Sequence, residues 1–256
     1  MRLTLLCALT IGGEGMLFSQ GTPSTQPAVT RTNFVNIAAV PSPVRAFIQA
    51  FGDRILKAGN ERTTLVGTYT DAKGSTPATL TWQVPGELRF DRTGAASLIY
   101  AAGTVQNAAS ISSADLNVLE SLLDDSAESF FYGFMRGDAH RLIGRRYRAD
   151  DGTTPNYQGP WYDIYIRSAS ALAQSGAPLR QSFCFFDSQT KLLAKVQYDL
   201  PNSTKVLTEF TNWITTNGQS FPGQIVRKEN DAVVFTFKIT GAVASPAVTD
   251  GVFPGE

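Results

Sequence analysis

The sequence predicts a mainly β (α+β) protein: an open, strongly curved antiparallel sheet, a half-barrel of about ten or eleven strands, covered by two or three helices. Three observations predict it. Short runs rich in β-branched and aromatic residues recur along the chain, separated by turn-forming clusters. Two stretches, after Ser42 and after Ser112, carry apolar residues at helical spacing. The last quarter, Phe185 to Phe253, reads strand, turn, strand, turn, strand.

The first helix starts at Ser42, a natural N-cap, with Pro43 at the first helical position, where its missing N–H costs nothing. Val44, Phe47, Ile48, Phe51, Ile55 and Leu56 share one face, Arg45, Gln49, Asp53 and Lys57 the other, and Gly59 suits a left-handed stop. Strands follow over Arg62–Thr70 and Thr79–Val84, joined by the turn Asp71-Ala72-Lys73-Gly74. Two more, Glu87–Asp91 and Ser97–Ala101, come after the Pro85-Gly86 turn. Ser112 to Gly137 reads as the second helix. Ser112 with Asp115 approximates a capping box, and Leu116, Leu119, Leu123, Phe130 and Phe134 trace an apolar face. Glu120, Asp124, Asp125 and Glu128 form an acidic opposite side, and Ser129 to Met135 is aromatic nearly all round.

The remaining strands are His140–Arg148, Trp161–Ser168, Arg180–Phe186, Leu192–Leu200, Val206–Trp213, Gln224–Lys228 and Ala232–Thr240. In Arg180–Phe186, Phe183 and Phe185 share one face, Cys184 and Phe186 the other, which predicts burial on both sides. Glu229-Asn230-Asp231 supplies a hairpin turn, and Phe235, Phe237 and Ile239 alternate inward.

Composition narrows the function classes. At 256 residues and 43% hydrophobic, the chain can fill one large core or two small ones. Lys+Arg and Asp+Glu are both 22, so a neutral chain has no electrostatic reason to seek nucleic acid or an anionic membrane surface. Arg2 followed by the apolar run Leu3–Ile11 reads as an export signal, cleaved near Ser19. Gln20–Ser42, rich in Pro, Thr, Ser and Ala, reads as a flexible linker, and 43–256 as a single domain. No later segment is apolar over the roughly 20 residues that a transmembrane helix needs. Loss of Cys7 with the signal leaves Cys184 without a disulfide partner.

Catalytic motifs are absent. One histidine, His140, cannot build the usual zinc site, and neither a nucleophile elbow nor a glycine-rich phosphate loop occurs. Cys184 beside His140 could be a nucleophile, but an apolar strand offers nothing to lower its pKa. Asp150, Asp151 and Asn156 lack the spacing of a calcium loop and read as a solvated turn. Strand alternation divides the arginines of His140–Arg148, with Arg141 and Arg145 on one face and Arg146 and Arg148 on the other. A solvated strand edge accounts for them. Tyr157, Trp161, Tyr162 and Tyr165 could stack on a sugar or fill the core. No catalytic residue, metal or cofactor is expected.

Three C-terminal segments carry a family resemblance: FFDSQTKLLAKVQYDL, TEFTNWITTNGQSFPGQIVRKENDAVVFTFKIT with Phe221-Pro222 opening the penultimate strand, and the Asp250-x-x-Phe253 close. They resemble LolA-like proteins, periplasmic proteins whose curved sheet folds around helices and holds acyl chains or hydrophobic peptides. The opening meander with its Val84-Pro85-Gly86 turn is similar too. The lipoprotein carriers place an arginine before that proline, where this chain has Val84.

The resemblance implies a monomeric periplasmic protein that binds a lipid, acyl chain, lipoprotein or hydrophobic peptide for carriage or sensing, with an envelope protein as a further partner. Its two helices would act as plug and lid. Phe47, Phe51, Phe130, Phe131 and Phe134 would line the ligand from the helices, and Trp82, Leu88 and Phe90 from the sheet. The alternative is a non-transport module of the cell envelope with a filled core, sugar-binding included. A hydrolase using Cys184 or an acidic pair is a third expectation.

Overall fold

The computed structural model describes residues 42–52, 61–83, 86–101, 103–136, 139–148, 161–169, 180–246 and 251–253. Residues 1–41, on which the expected export signal and most of the expected linker fall, and Ile55, Leu56, Gly59, Val84, Asp150, Asp151, Asn156 and Tyr157 lie outside the described residues.

Helix α1 (Ser42–Ala50) precedes a meander of β1 (Glu61–Asp71), β2 (Gly74–Gln83), β3 (Glu87–Arg92), β4 (Leu98–Ala101) and β5 (Thr104–Val105). Helices α2 (Ser113–Asp124) and α3 (Ala127–Arg136) then lead to β6 (Ala139–Arg148). After it come β7 (Trp161–Ala169), β8 (Arg180–Asp187), β9 (Leu193–Asp199) and β10 (Lys205–Thr211). A small hairpin, β11 (Ile214–Thr216) and β12 (Gln219–Phe221), precedes β13 (Gln224–Glu229) and β14 (Ala232–Pro246).

The sheet runs β5-β4-β3-β2-β1-β14-β13-β10-β9-β8-β7-β6, antiparallel throughout and not closed. Among the described residues it holds twelve strands, one more than the eleven read along the sequence, and the addition is two-residue β5, too short for alternation to reveal. The three-residue strands of the separate β11–β12 hairpin escape alternation in the same way. The order has a mechanical consequence. The meander ends at one edge and β6 forms the other, so α2 and α3 must bridge the open sheet from edge to edge.

Alternation sets one face of the sheet against the helices. Leu65 and Tyr69, Leu80 and Trp82, Leu88 and Phe90, and Phe235, Phe237 and Ile239 are buried on it, joined to Phe47, Phe51, Phe130 and Phe131 in one apolar cluster. The tight turn expected before β14 is present: Asn230 and Asp231 both have positive φ, 47° and 67°, as a two-residue type I′ hairpin requires.

Several expectations are corrected. α1 ends at Ala50; at Gly52 just beyond it φ is 77°, and a Cβ would lie 2.3 Å from the Gly218 carbonyl oxygen of the β11–β12 turn. Only glycine permits that approach. The second helix is two. Ser112 caps α2 as expected, its Oγ accepting the Asp115 N–H at 3.1 Å. Ser126 then starts α3 anew, its Oγ accepting the Ser129 N–H at 3.0 Å. Of the acidic side, Asp124 and Asp125 are buried at that elbow.

The outer face of β8 is covered only in part. Phe185 is buried with Tyr162 and Ile164, while Phe183 is 37% exposed. The β6–β7 ladder carries two register shifts, between Leu142 and Gly144 and between Arg145 and Tyr147.

Candidate functional site

The expected ligand residues fall into two groups on the inner face. In the first, α1 is inserted between α3 and the sheet by its aromatic rings. Phe47 stacks on Phe186 with ring centres 4.4 Å apart and meets Tyr165 edge-on at 5.6 Å. Phe51 meets Phe131 at 5.4 Å and Trp213 at 5.2 Å, both edge-on. Phe130 of α3 lies 4.8 Å from Phe186 and 5.4 Å from Phe131. Phe47, Phe51, Phe130 and Phe131 are thus brought together; the Phe134 side chain lies outside the described residues.

The second group belongs to the meander. Trp82 and Leu88 are paired across β2 and β3. Phe90 meets Tyr69 at 5.5 Å and Phe237 at 5.7 Å. Arg92 lies over both Tyr69 and Phe90 and pairs with Asp115 of α2 at 2.6 Å, pinning that end of the helical cover.

Between α2 and the sheet lies a cavity of about 20 Å³, lined by Leu65, Leu80, Trp82, Ser121, Leu122 and Phe210 among others. That volume holds about one water, far less than an acyl chain. Around that cavity the described side chains leave no room for such a guest.

The elbow between α2 and α3 is held differently. Arg180 donates to Asp124 Oδ2 at 2.7 Å, with its guanidinium 3.8 Å from the centre of the Tyr198 ring. Thr208 donates to Asp125 Oδ2 at 2.6 Å. Arg227, 3% exposed, donates to the Tyr198 hydroxyl at 2.8 Å, to Glu229 at 2.8 Å and to Ser121 Oγ. Arg167 reaches Ser129 of α3 at 3.1 Å. Burial pushes the Asp124 carboxyl up to about 6, against the pull of Arg180 and Arg167, and Asp125 and Glu120 push it the same way. Burial likewise raises the Tyr198 hydroxyl, helped by Asp125.

This ionic cluster was not expected from the sequence. One signal was available: Arg180, Tyr198, Thr208 and Arg227 share the inward parity of Cys184, Val196, Phe210 and Ile225. Polar groups at core positions announce a buried partner.

The candidates for chemistry come apart. Cys184 is 2% exposed, and burial pushes its thiol up to about 12, leaving roughly one part in 10⁵ as thiolate at neutral pH. The Asp124-Asp125 pair is engaged by arginines instead of facing a cleft. Tyr165 is part of the core and Tyr162 part of the small outer cluster, so neither presents a free ring to a sugar. No group of metal-ligating side chains occurs among the described residues. No helix among them is long and apolar enough to cross a membrane.

The resemblance to LolA-like proteins is met again among solved structures. The chain is similar to a LolA superfamily protein from Nitrosomonas europaea, at 8% identity over 77% of this chain and 91% of that one, with a TM-score of 0.49. It is similar to an outer membrane lipoprotein-sorting protein domain from Vibrio parahaemolyticus, at 11% identity over 76% and 87% of the two chains and a TM-score of 0.42. A DUF1329 family protein from Desulfovibrio piger is similar at 9% identity, over 79% and 93%, with a TM-score of 0.41. No protein-family model matches the chain, and no curated protein does.

Proposed function

We propose that this chain is an exported protein of the cell envelope that binds a hydrophobic ligand for carriage or sensing, taking it between α1, α3 and the inner face of the sheet. A lipid, acyl chain, lipoprotein or hydrophobic peptide fits that description. The observation that supports it is the apolar inward side of α1. The α2–α3 elbow is fastened by ions and hydrogen bonds, whereas the inward side of α1 is Val44, Phe47, Ile48 and Phe51.

Such a plug is exchangeable for a guest of its own kind. Burying four apolar side chains contributes about 1.5–3 kcal/mol each, roughly 6–12 kcal/mol gross. An acyl chain of about fourteen methylenes contributes about 0.8 kcal/mol per methylene, roughly 11 kcal/mol gross. The two sums are comparable, so a long chain can replace the helix while ordering costs keep the exchange reversible.

The small size of that cavity supports the second reading, a non-transport envelope module with a filled core. Mass spectrometry of organic extracts separates the two, using protein purified without detergent from its native envelope. The binding reading expects a stoichiometric lipid or acyl species, lost when Phe130 and Phe131 are replaced by polar residues. An extract identical to that of a control protein would favour the filled core.

A further inference from the structure

Four hydrogen-bond donors from four adjacent strands converge on one spot of the inner face: Arg180 of β8, Tyr198 of β9, Thr208 of β10 and Arg227 of β13. Thr208 is directly opposite Arg227 across the β10–β13 ladder, and Tyr198 is opposite Val206, the next inward residue of β10. Shape and burial alone do not require such a set, because apolar side chains of similar volume commonly stabilise as well as a buried ion pair or better.

What occupies the spot is a pair of carboxylates from the α2–α3 elbow, and they fill it imperfectly. Oδ1 of Asp124 and Oδ1 of Asp125 are both buried without a hydrogen-bond partner. Asp125 stands 3.6 Å from Arg180 and 3.8 Å from Arg227, beyond hydrogen-bonding distance for either guanidinium. Cavities lie on both sides. Ser121, which accepts from Arg227, lines the small apolar cavity running to Trp82. Arg180 and Tyr198 also line an open groove of about 800 Å³.

We infer that Arg180, Tyr198, Thr208 and Arg227 form an anion site which the elbow holds closed, and that the ligand is an anionic amphiphile whose carboxylate or phosphate takes the place of Asp125. The inference rests on the proposed binding function and narrows it. The head reaches the arginines as the elbow lifts, and the tail follows the apolar wall of Leu65, Leu80 and Trp82. Two guanidiniums suit this role because they bind carboxylate or phosphate in a planar, two-pronged fashion.

The test uses the full mature chain loaded with N-phenyl-1-naphthylamine, a neutral apolar fluorophore, and competes it off with palmitate, hexadecyl phosphate or hexadecanol. The tails are matched, so only the head differs. Palmitate or hexadecyl phosphate is expected to displace the probe at about one-tenth the concentration of hexadecanol or less, the value of a charge-assisted hydrogen bond. Which of the two competes better identifies the head as carboxylate or phosphate.

Asp125→Asn removes the internal competitor. It is expected to strengthen the anions about tenfold further and leave hexadecanol unchanged, whereas a purely structural role would move all three alike. Arg180→Gln is expected to abolish the preference. Equal displacement by palmitate, hexadecyl phosphate and hexadecanol in the unmodified protein would overturn the anion site and leave the hydrophobic-ligand reading standing. Failure to take up the fluorophore at all would overturn both.

Discussion

Replacing Phe47 by alanine tests whether α1 is a separable plug. The Phe47 ring is 2% exposed, stacked on Phe186 and edge-on to Tyr165. Truncating a buried phenylalanine costs about 3–5 kcal/mol. Val44, Ile48 and Phe51 remain, each contributing about 1.5–3 kcal/mol, so the helix stays docked in most molecules. Its docking equilibrium nevertheless shifts roughly 10²–10³-fold toward the open form, at about 1.4 kcal/mol per factor of ten. Amide hydrogen exchange read by mass spectrometry resolves this by segment. The N–H groups of Phe51 and Gly52, bonded within the last turn of α1 at 3.1 and 2.9 Å, are expected to lose protection by about that factor. Amides of β13 and β14, in the middle of the sheet, should keep theirs. Equal loss in α1 and in β13–β14 would mean that the helix opens only when the whole protein unfolds. That result would refute the plug and with it the exchange argument for ligand binding.

Three further outcomes follow from the ionic cluster and the core. Arg227→Met should lower unfolding free energy by about 3–5 kcal/mol in urea titration, because buried Asp125 loses one of its two guanidinium neighbours, and adding Asp125→Asn should recover part of the loss. Asp124 has a folded pKa of about 6 against an ordinary 3.8, so the folded state holds the extra proton between those values and stability falls as pH rises through about 4 to 6. The groups facing it are Asp125, Glu120, Arg180 and Arg167, and Asp124→Asn should flatten that part of the urea midpoint profile; an unchanged profile would refute the assignment. Cys184 should resist iodoacetamide at pH 7.5 in the native protein and react promptly in urea, and Cys184→Ala should leave fluorophore uptake intact.

Much of the fold was legible from local patterns. The alternation of Phe235, Phe237 and Ile239, the Asn230-Asp231 turn and the Ser112 cap each involve residues within a few positions of one another, and each is present as read. The aromatic residues of the two helical stretches were legible as a set because spacing alone places Phe47 and Phe51, or Phe130 and Phe131, on surfaces that must be buried. Their depth was not legible, nor was the packing of one ring on another. Both depend on Phe186, Tyr165 and Trp213, which reach those rings from distant strands.

The amino-acid sequence by itself determined which segments are strands, which faces are apolar, and that no ordinary catalytic motif is present. Only the tertiary structure decided that Asp124 and Asp125 of the second helical stretch belong to an interior ionic cluster. Asp124 and Arg180 are 56 residues apart, and Ser121 and Arg227 are 106 apart. A carboxylate on a helix is equally at home in water or beside a buried guanidinium. Which it meets is settled when the helical bridge crosses the sheet and the register of β8 to β13 delivers the arginines beneath it.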